Sequence, residues 1–195
     1  MKTHQSIASS RPPSKQDQLI HAANSFLAAL SNPTRNSRML LSYFSTRQTV
    51  TLDHSPSVTQ YPQYSAPFIG LSAVRSYFDL IAMHYTVVSV ATHSFQAFAS
   101  QSRVVSISSI QWRWRSSGNT WTEDVSCTFE YDEQLKLKSF IVKTQSAEDT
   151  CVLRAVDRSP SRSSSPSEYF KNRPPYCPIF PLSDYPIHVH PRWIR

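Results

Sequence analysis

FIGLSAVRSYFDLIAMHYTVVSVATHSFQAFASQSRVVSISSIQWRWRSSGNTWTEDVSCTFEYDEQLKLKSFIVKTQSAEDTCVLRAVDRS, residues 68–159, contains none of the chain's 14 prolines. Proline cannot donate to a sheet ladder, so a proline-rich chain has kept this one stretch clear for continuous hydrogen bonding. The stretch opens with Gly70 and a helical stripe, Ala73, Val74, Tyr77, Phe78, Ile81 and Tyr85, at the 3.6-residue spacing of one face, ending near His84 or Tyr85. Four amphipathic segments follow at about 86–99, 103–116, 120–132 and 135–145. Short polar links separate them, and Ser116-Ser117-Gly118-Asn119 is the clearest hairpin turn. The pattern predicts one helix and an antiparallel four-stranded meander.

Alternation assigns faces within the meander. In the third strand Trp121, Glu123, Val125, Cys127, Phe129 and Tyr131 point one way and form the expected buried set. A glutamate among them is conspicuous, because a buried isolated carboxylate is costly. A cross-strand salt bridge to Arg113 or Arg115 is the expected remedy. In the second strand Ile110, Trp112 and Trp114 share a face, a cluster that suits the core of a homodimer interface through the sheet.

Upstream, residues 1–14 read as a polar disordered arm. Ser14 and Asp17 then start a helix carrying Leu19, Ala23, Phe26, Leu27 and Leu30, which Asn32-Pro33 stops. A second short helix is expected from about Ser37 to Phe44, and QTVTLDH, residues 48–54, reads as a short strand. Pro56, Pro62 and Pro67 punctuate a loop long enough to serve as a lid or rim. Downstream, RSPSRSSSPS and the aromatic, proline-broken run to Arg195 show no apolar periodicity. The expected division is an arm over 1–14, a folded domain over 15–150 and a disordered Ser/Pro/Arg-rich tail over 151–195.

Charge follows that division. The formal net charge is +7, yet from Gln16 to Cys151 ten Lys and Arg face ten Asp and Glu, so the surplus belongs to the two ends. Such ends bind nucleic acid weakly and in a salt-dependent way at most. Three cysteines, Cys127, Cys151 and Cys177, show no C-x-x-C spacing, which argues against a disulfide framework or zinc knuckle and for a reducing compartment. The N-terminus lacks the apolar core of a secretory signal, and no run approaches the roughly 18 apolar residues of a membrane span. A soluble cytoplasmic protein is expected, with the nucleus also open to it.

Three helices, a short strand after the second, and a four-stranded meander is the element order of nuclear-transport-factor-2-like proteins. Gly70-x-x-Ala73-Val74-x-x-Tyr77-Phe78 resembles the opening of the third helix in SnoaL-like polyketide cyclases, ketosteroid isomerases and their relatives. The resemblance covers about residues 16–146. It implies an α+β fold: a cone-shaped, curled antiparallel sheet packed on three N-terminal helices, with a hydrophobic pocket between them. In such relatives the pocket serves isomerases, dehydratases, cyclases or hydrolases, or no catalysis at all.

The resemblance also implies site residues. Asp53 falls at the strand end where ketosteroid isomerases carry their general base, although an Asp before Ser55-Pro56 also suits a turn cap. His93 resembles the strand histidine of scytalone dehydratase. His54 stands where that enzyme has a tyrosine, Cys127 where it has an asparagine, and Ser108 or Ser109 where it has a second histidine. Asp53 and His93 are therefore the expected acid/base pair, sharing one apolar pocket. Tyr43, His54, Tyr77, Glu123 and Cys127 are pocket candidates, each with a packing role as the alternative. His188 and His190 lack a third ligand, and no P-loop, G-x-S-x-G or H-E-x-x-H pattern occurs, so neither metal nor cofactor is expected. The expected function is proton-transfer chemistry on a hydrophobic ring compound. A non-catalytic ligand-binding or dimerisation module and a scaffold with a basic tail are the competing readings.

Overall fold

The computed structural model describes residues 12–32, 34, 36–56 and 66–157. The arm over 1–11, the punctuated loop over 57–65 and the tail beyond 157 lie outside the described residues. Helix α1, Lys15–Ser31, begins at a capping box: the Ser14 hydroxyl accepts from the Asp17 amide while the Asp17 carboxylate accepts from the Ser14 amide. A short helix α2, Ser37–Leu41, is capped by Asn36, whose side chain accepts from Met39 N at 2.8 Å. Strand β1 spans Thr51–Pro56 and a two-residue strand β2 spans Phe68–Ile69. Gly70, at φ +85°, turns the chain into helix α3, Leu71–His84. Glycine reaches that left-handed φ without the steric cost other residues incur.

The meander follows as β3 (Tyr85–Phe98), β4 (Arg103–Trp114), β5 (Thr120–Tyr131) and β6 (Leu137–Thr144). Its boundaries match the sequence pattern closely. The sheet as a whole has six strands in the order β2-β1-β6-β5-β4-β3, and β1 lies parallel to β6. The meander is antiparallel as expected, and the parallel β1 makes the complete sheet mixed. Two register shifts in β3, at Val87/Ser89 and Thr92/Ser94, mark bulges. Bulges bend the strand that carries them, and the sheet curls around the helices without closing into a barrel.

The concave face of the sheet and the inner faces of the helices form one core. Phe26 of α1 lies at its centre, edge-on to Phe44, Phe78 and Phe140 at centroid distances of 6.0, 6.4 and 5.0 Å. Of the set expected to be buried in β5, Glu123, Val125, Cys127, Phe129 and Tyr131 are buried, and Trp121 is half-buried.

Two expectations need correction. Ile110 and Trp112 are 2% and 1% exposed, so they face the core rather than a second copy. Trp114 packs on Tyr85 and Trp121 at 4.7 and 5.3 Å. The tryptophan cluster is used up inside the protein, and the motive for a dimer through it disappears. The tail boundary at 151 also falls in the wrong place. Cys151 and Val152 are fully buried, and the short turn before them, Glu148–Thr150, is tied to β5 by Trp121 Nε1 donating to Thr150 O at 2.9 Å. Farther on, Asp157 accepts from Ser116 and Asn119 in the β4–β5 turn. Residues 145–157 are a strap across the open end of the sheet.

Ending the chain after Thr150 should therefore cost about 2–4 kcal/mol in urea denaturation, the scale of losing one buried aliphatic side chain and a neighbouring thiol.

Candidate functional site

The curled sheet brings one polar side chain from each of four adjacent strands to a single place on its concave face. From β1 comes His54, which points inward with Leu52 while Asp53 between them points outward. From β6 comes Thr144, from β5 Glu123 and from β4 Trp112. Tyr77 closes the group from α3, and Cys151 closes it from the strap. All six are buried.

Glu123 is the hub. Its Oε1 accepts from His54 Nε2 at 2.9 Å and from Thr144 Oγ1 at 2.6 Å, and its Oε2 accepts from Trp112 Nε1 at 2.8 Å. Indole N–H is a donor only, so this set is built for an ionised carboxylate. His54 is held at both ends, because Nδ1 lies 2.7 Å from the Tyr77 hydroxyl. Burial by itself disfavours the imidazolium. The polar surroundings that Tyr77, Cys151 and Glu123 supply outweigh burial and raise the His54 pKa well above the ordinary histidine value of 6.5. The ring thus meets the Glu123 carboxylate at Nε2 and the Tyr77 hydroxyl at Nδ1. Burial raises the Tyr77 pKa and keeps it a phenol.

The cluster opens on a cavity of about 170 Å³ lined by His54, Cys151, Phe68 and Leu153, with Pro56 and Ala66 at the two ends of the 57–65 loop. Ser55 and Arg154 complete the lining. An apolar cavity of about 150 Å³ accommodates benzene, so this one has room for a single ring. His54 and Cys151 are the chemically active groups it meets.

The other expected residues fall elsewhere. Asp53 lies on the opposite face of β1, where Lys143 Nζ donates to it at 2.7 Å and to Ser55 Oγ at 2.6 Å. His93 is exposed on the outer face of β3, 2.8 Å from Ser109 Oγ, which donates to Asp124 at 2.6 Å. Asp53 and His93 therefore do not share a pocket. Tyr43 packs edge-on against Phe26 at 5.6 Å. Cys127 is fully buried and absent from the cavity wall, and burial pushes its thiol up to about 12. The expected pairing of Glu123 with Arg113 or Arg115 is also replaced. Arg113 alternates away from the concave face, and Arg115 donates to Tyr85 O.

Trp112, Thr144 and Cys151 were not visible as partners in the sequence. The only hint was the buried glutamate's need for donors. His54, Glu123 and Cys151 form the one group among the described residues whose donor atoms, all within 4.8 Å of one another, have the makeup of metal ligands. Both ring nitrogens and both carboxylate oxygens are already hydrogen-bonded, so the arrangement is better suited to moving a proton.

No family model matches the chain, and no curated protein sequence does. Solved structures do. A putative isomerase from Bacillus subtilis matches 68% of this chain and 89% of its own at 8% identity, with a TM-score of 0.56. The fold is that of the SnoaL-like and nuclear-transport-factor-2-like proteins. SalBIII, an epoxide hydrolase/cyclase-like enzyme in pyran ring formation in the polyether salinomycin, matches 69% of the chain and 97% of its own at 12% identity and a TM-score of 0.55. BvnE pinacolase from Penicillium brevicompactum matches 75% and 94% at 14% identity, also with a TM-score of 0.55. Among the described residues, no helix is long and apolar enough to cross a membrane.

Breaking the buried pair has a defined cost. Glu123→Gln should destabilise the protein by about 3–5 kcal/mol in urea, since it leaves His54 and Thr144 poorly matched. The same experiment run against pH carries a sign. Folding raises the His54 pKa, so its contribution is present in full below the unfolded value of 6.5 and disappears as pH rises through the folded value. Wild-type stability should fall on the alkaline side, and Glu123→Gln should flatten that slope.

Proposed function

We propose that this protein is a cofactor-independent acid/base catalyst of the isomerase, dehydratase or cyclase type, acting on a small hydrophobic ring compound. The observation that supports this most is the fully buried His54–Glu123 pair opening on a ring-sized cavity. A buried ion pair is seldom the most stable filling for a core, and hydrophobic residues of equal volume often do as well or better. Perturbed ionisable groups beside a cleft are where proton-transfer sites are found.

In this reading His54 is the proton-transfer group. As an imidazolium at the cavity wall it exchanges its Nδ1 contact with Tyr77 for a carbonyl or hydroxyl oxygen of the bound ring, gives that oxygen a proton, and as the resulting imidazole takes one back. Glu123 remains ionised throughout, fixing the ring's orientation and stabilising its cation, with Thr144 and Trp112 fixing Glu123 in turn. Tyr77 holds Nδ1 and keeps the imidazole plane aimed. Phe68, Pro56 and Leu153 supply the apolar wall that excludes water and strengthens each of these interactions. The role assigned from the resemblance to Asp53 and His93 passes to His54, because those two side chains lie on the other face of the sheet.

A panel of ring ketones and ring alcohols in deuterated water, followed by proton NMR, tests this directly. The wild type should exchange or shift C–H protons in at least one compound, and His54→Gln should lose about 100- to 10,000-fold of that rate. Tyr77→Phe should lose less, as a positioning group. A folded His54→Gln variant that keeps its turnover would contradict the proposal. Ring compounds that bind without any exchange would favour the ligand-binding module instead.

A further inference from the structure

Cys151 is the remaining reactive group at the cavity, and the acid/base reading gives it no task. It is not a core thiol like Cys127. Cys127 sits behind the site, raised to about 12 by burial and away from the cavity wall. Cys151 lines the cavity beside His54, with its sulfur within 4.8 Å of a His54 ring nitrogen and of a Glu123 oxygen. Its backbone is fixed as well: Cys151 N donates to Glu148 O at 3.2 Å, and its carbonyl accepts from Arg154 and Ala155 at 2.7 and 2.8 Å. A thiol close to an imidazole that can take and return its proton, beside a ring-sized space, has the environment of a nucleophile.

We propose that Cys151 adds covalently to small α,β-unsaturated ring ketones bound in this cavity, with His54 as the proton donor. The inference rests on the proposed function for the cavity's preference for a ring and for the protonated state of His54. In the step, a bond forms from Cys151 Sγ to the β-carbon while the C=C π electrons move through the α-carbon to the carbonyl oxygen. With its Nδ1 turned from Tyr77 to the bound ketone, the imidazolium gives its proton to the resulting enolate, and the proton released by the thiol restores the imidazolium. The adduct therefore gains the whole mass of the enone, nothing is oxidised or reduced, and elimination by the reverse path regenerates thiol and enone.

The test uses the full chain and cyclohexenone as the probe, with intact-protein mass spectrometry and peptide mapping. The native protein should take up one enone, on Cys151, at least about tenfold faster than Cys177 or Cys127 react, because the cavity holds the bound ring beside this thiol and its proton partner. Cyclohexanone, which fits the same space and has no β-carbon electrophile, should slow the labelling. Cys151→Ser, shown to be folded by near-ultraviolet circular dichroism, should take up none at that rate. His54→Gln should label at least about tenfold more slowly while Cys177 is unaffected. Labelling of Cys177 ahead of Cys151, or labelling of Cys151 that cyclohexanone does not slow, overturns the proposal. If cyclohexanone shifts the His54 resonances and no adduct forms, only the thiol chemistry fails. If neither ring compound shifts them, the acid/base reading fails with it.

Discussion

The carboxyl group of Glu123, buried on the concave face of the sheet, is the constraint on which the site depends. A carboxylate in a core is tolerable only when its lone pairs are met. Here the donors come from three directions: an indole on the neighbouring strand β4, a hydroxyl on β6, and an imidazole two strands away on β1. These reach one point only because β1 pairs parallel to β6, which places His54 next to Val142 and within reach of β5. The curl of the sheet, α3 above it and the strap after β6 then close the remaining sides. A fold with the same core hydrophobes but β1 displaced by one residue would turn His54 outward and leave Glu123 without its cation.

Much of the architecture was legible because it rests on periodicity. The proline-free stretch, the alternation in β4 and β5, the capping pair Ser14 and Asp17, and the glycine at Gly70 each have a local physical cause that survives into the structure. Glu123 was legible as an anomaly for the same reason, since one charged residue in an otherwise apolar alternation needs an explanation. What periodicity does not carry is which distant residue supplies that explanation. Arg113 and Arg115 were nearer in sequence, but strand alternation sends Arg113 to the outer face and the hairpin end takes Arg115. His54 answers the carboxylate across 69 positions of chain, a relation fixed by the β1–β6 pairing alone.

The reading of Asp53 against His54 shows the limit at single-residue scale. The two are neighbours, and on a strand neighbours face opposite ways. Resemblance to a catalytic position chose the acid, whereas the burial of Leu52 decides in favour of the histidine. Cys151 shows a different limit. Three apolar residues, Cys151-Val152-Leu153, are too short to display a period, and the low-complexity run that follows made them look like the start of the tail. Their burial depends on the shape of the open end of the sheet, which no local pattern encodes.

The central claim is that His54, held between Tyr77 and Glu123, has its pKa raised despite its burial. Nitrogen-15 NMR of the imidazole ring across the pH range measures this most directly, since the shifts of Nδ1 and Nε2 separate the imidazolium from either neutral tautomer. The account predicts that both nitrogens of His54 still carry protons at neutral pH and titrate well above 6.5. It also predicts that this elevation is lost in Glu123→Gln. A His54 ring that is neutral at neutral pH in the folded wild-type protein would contradict it.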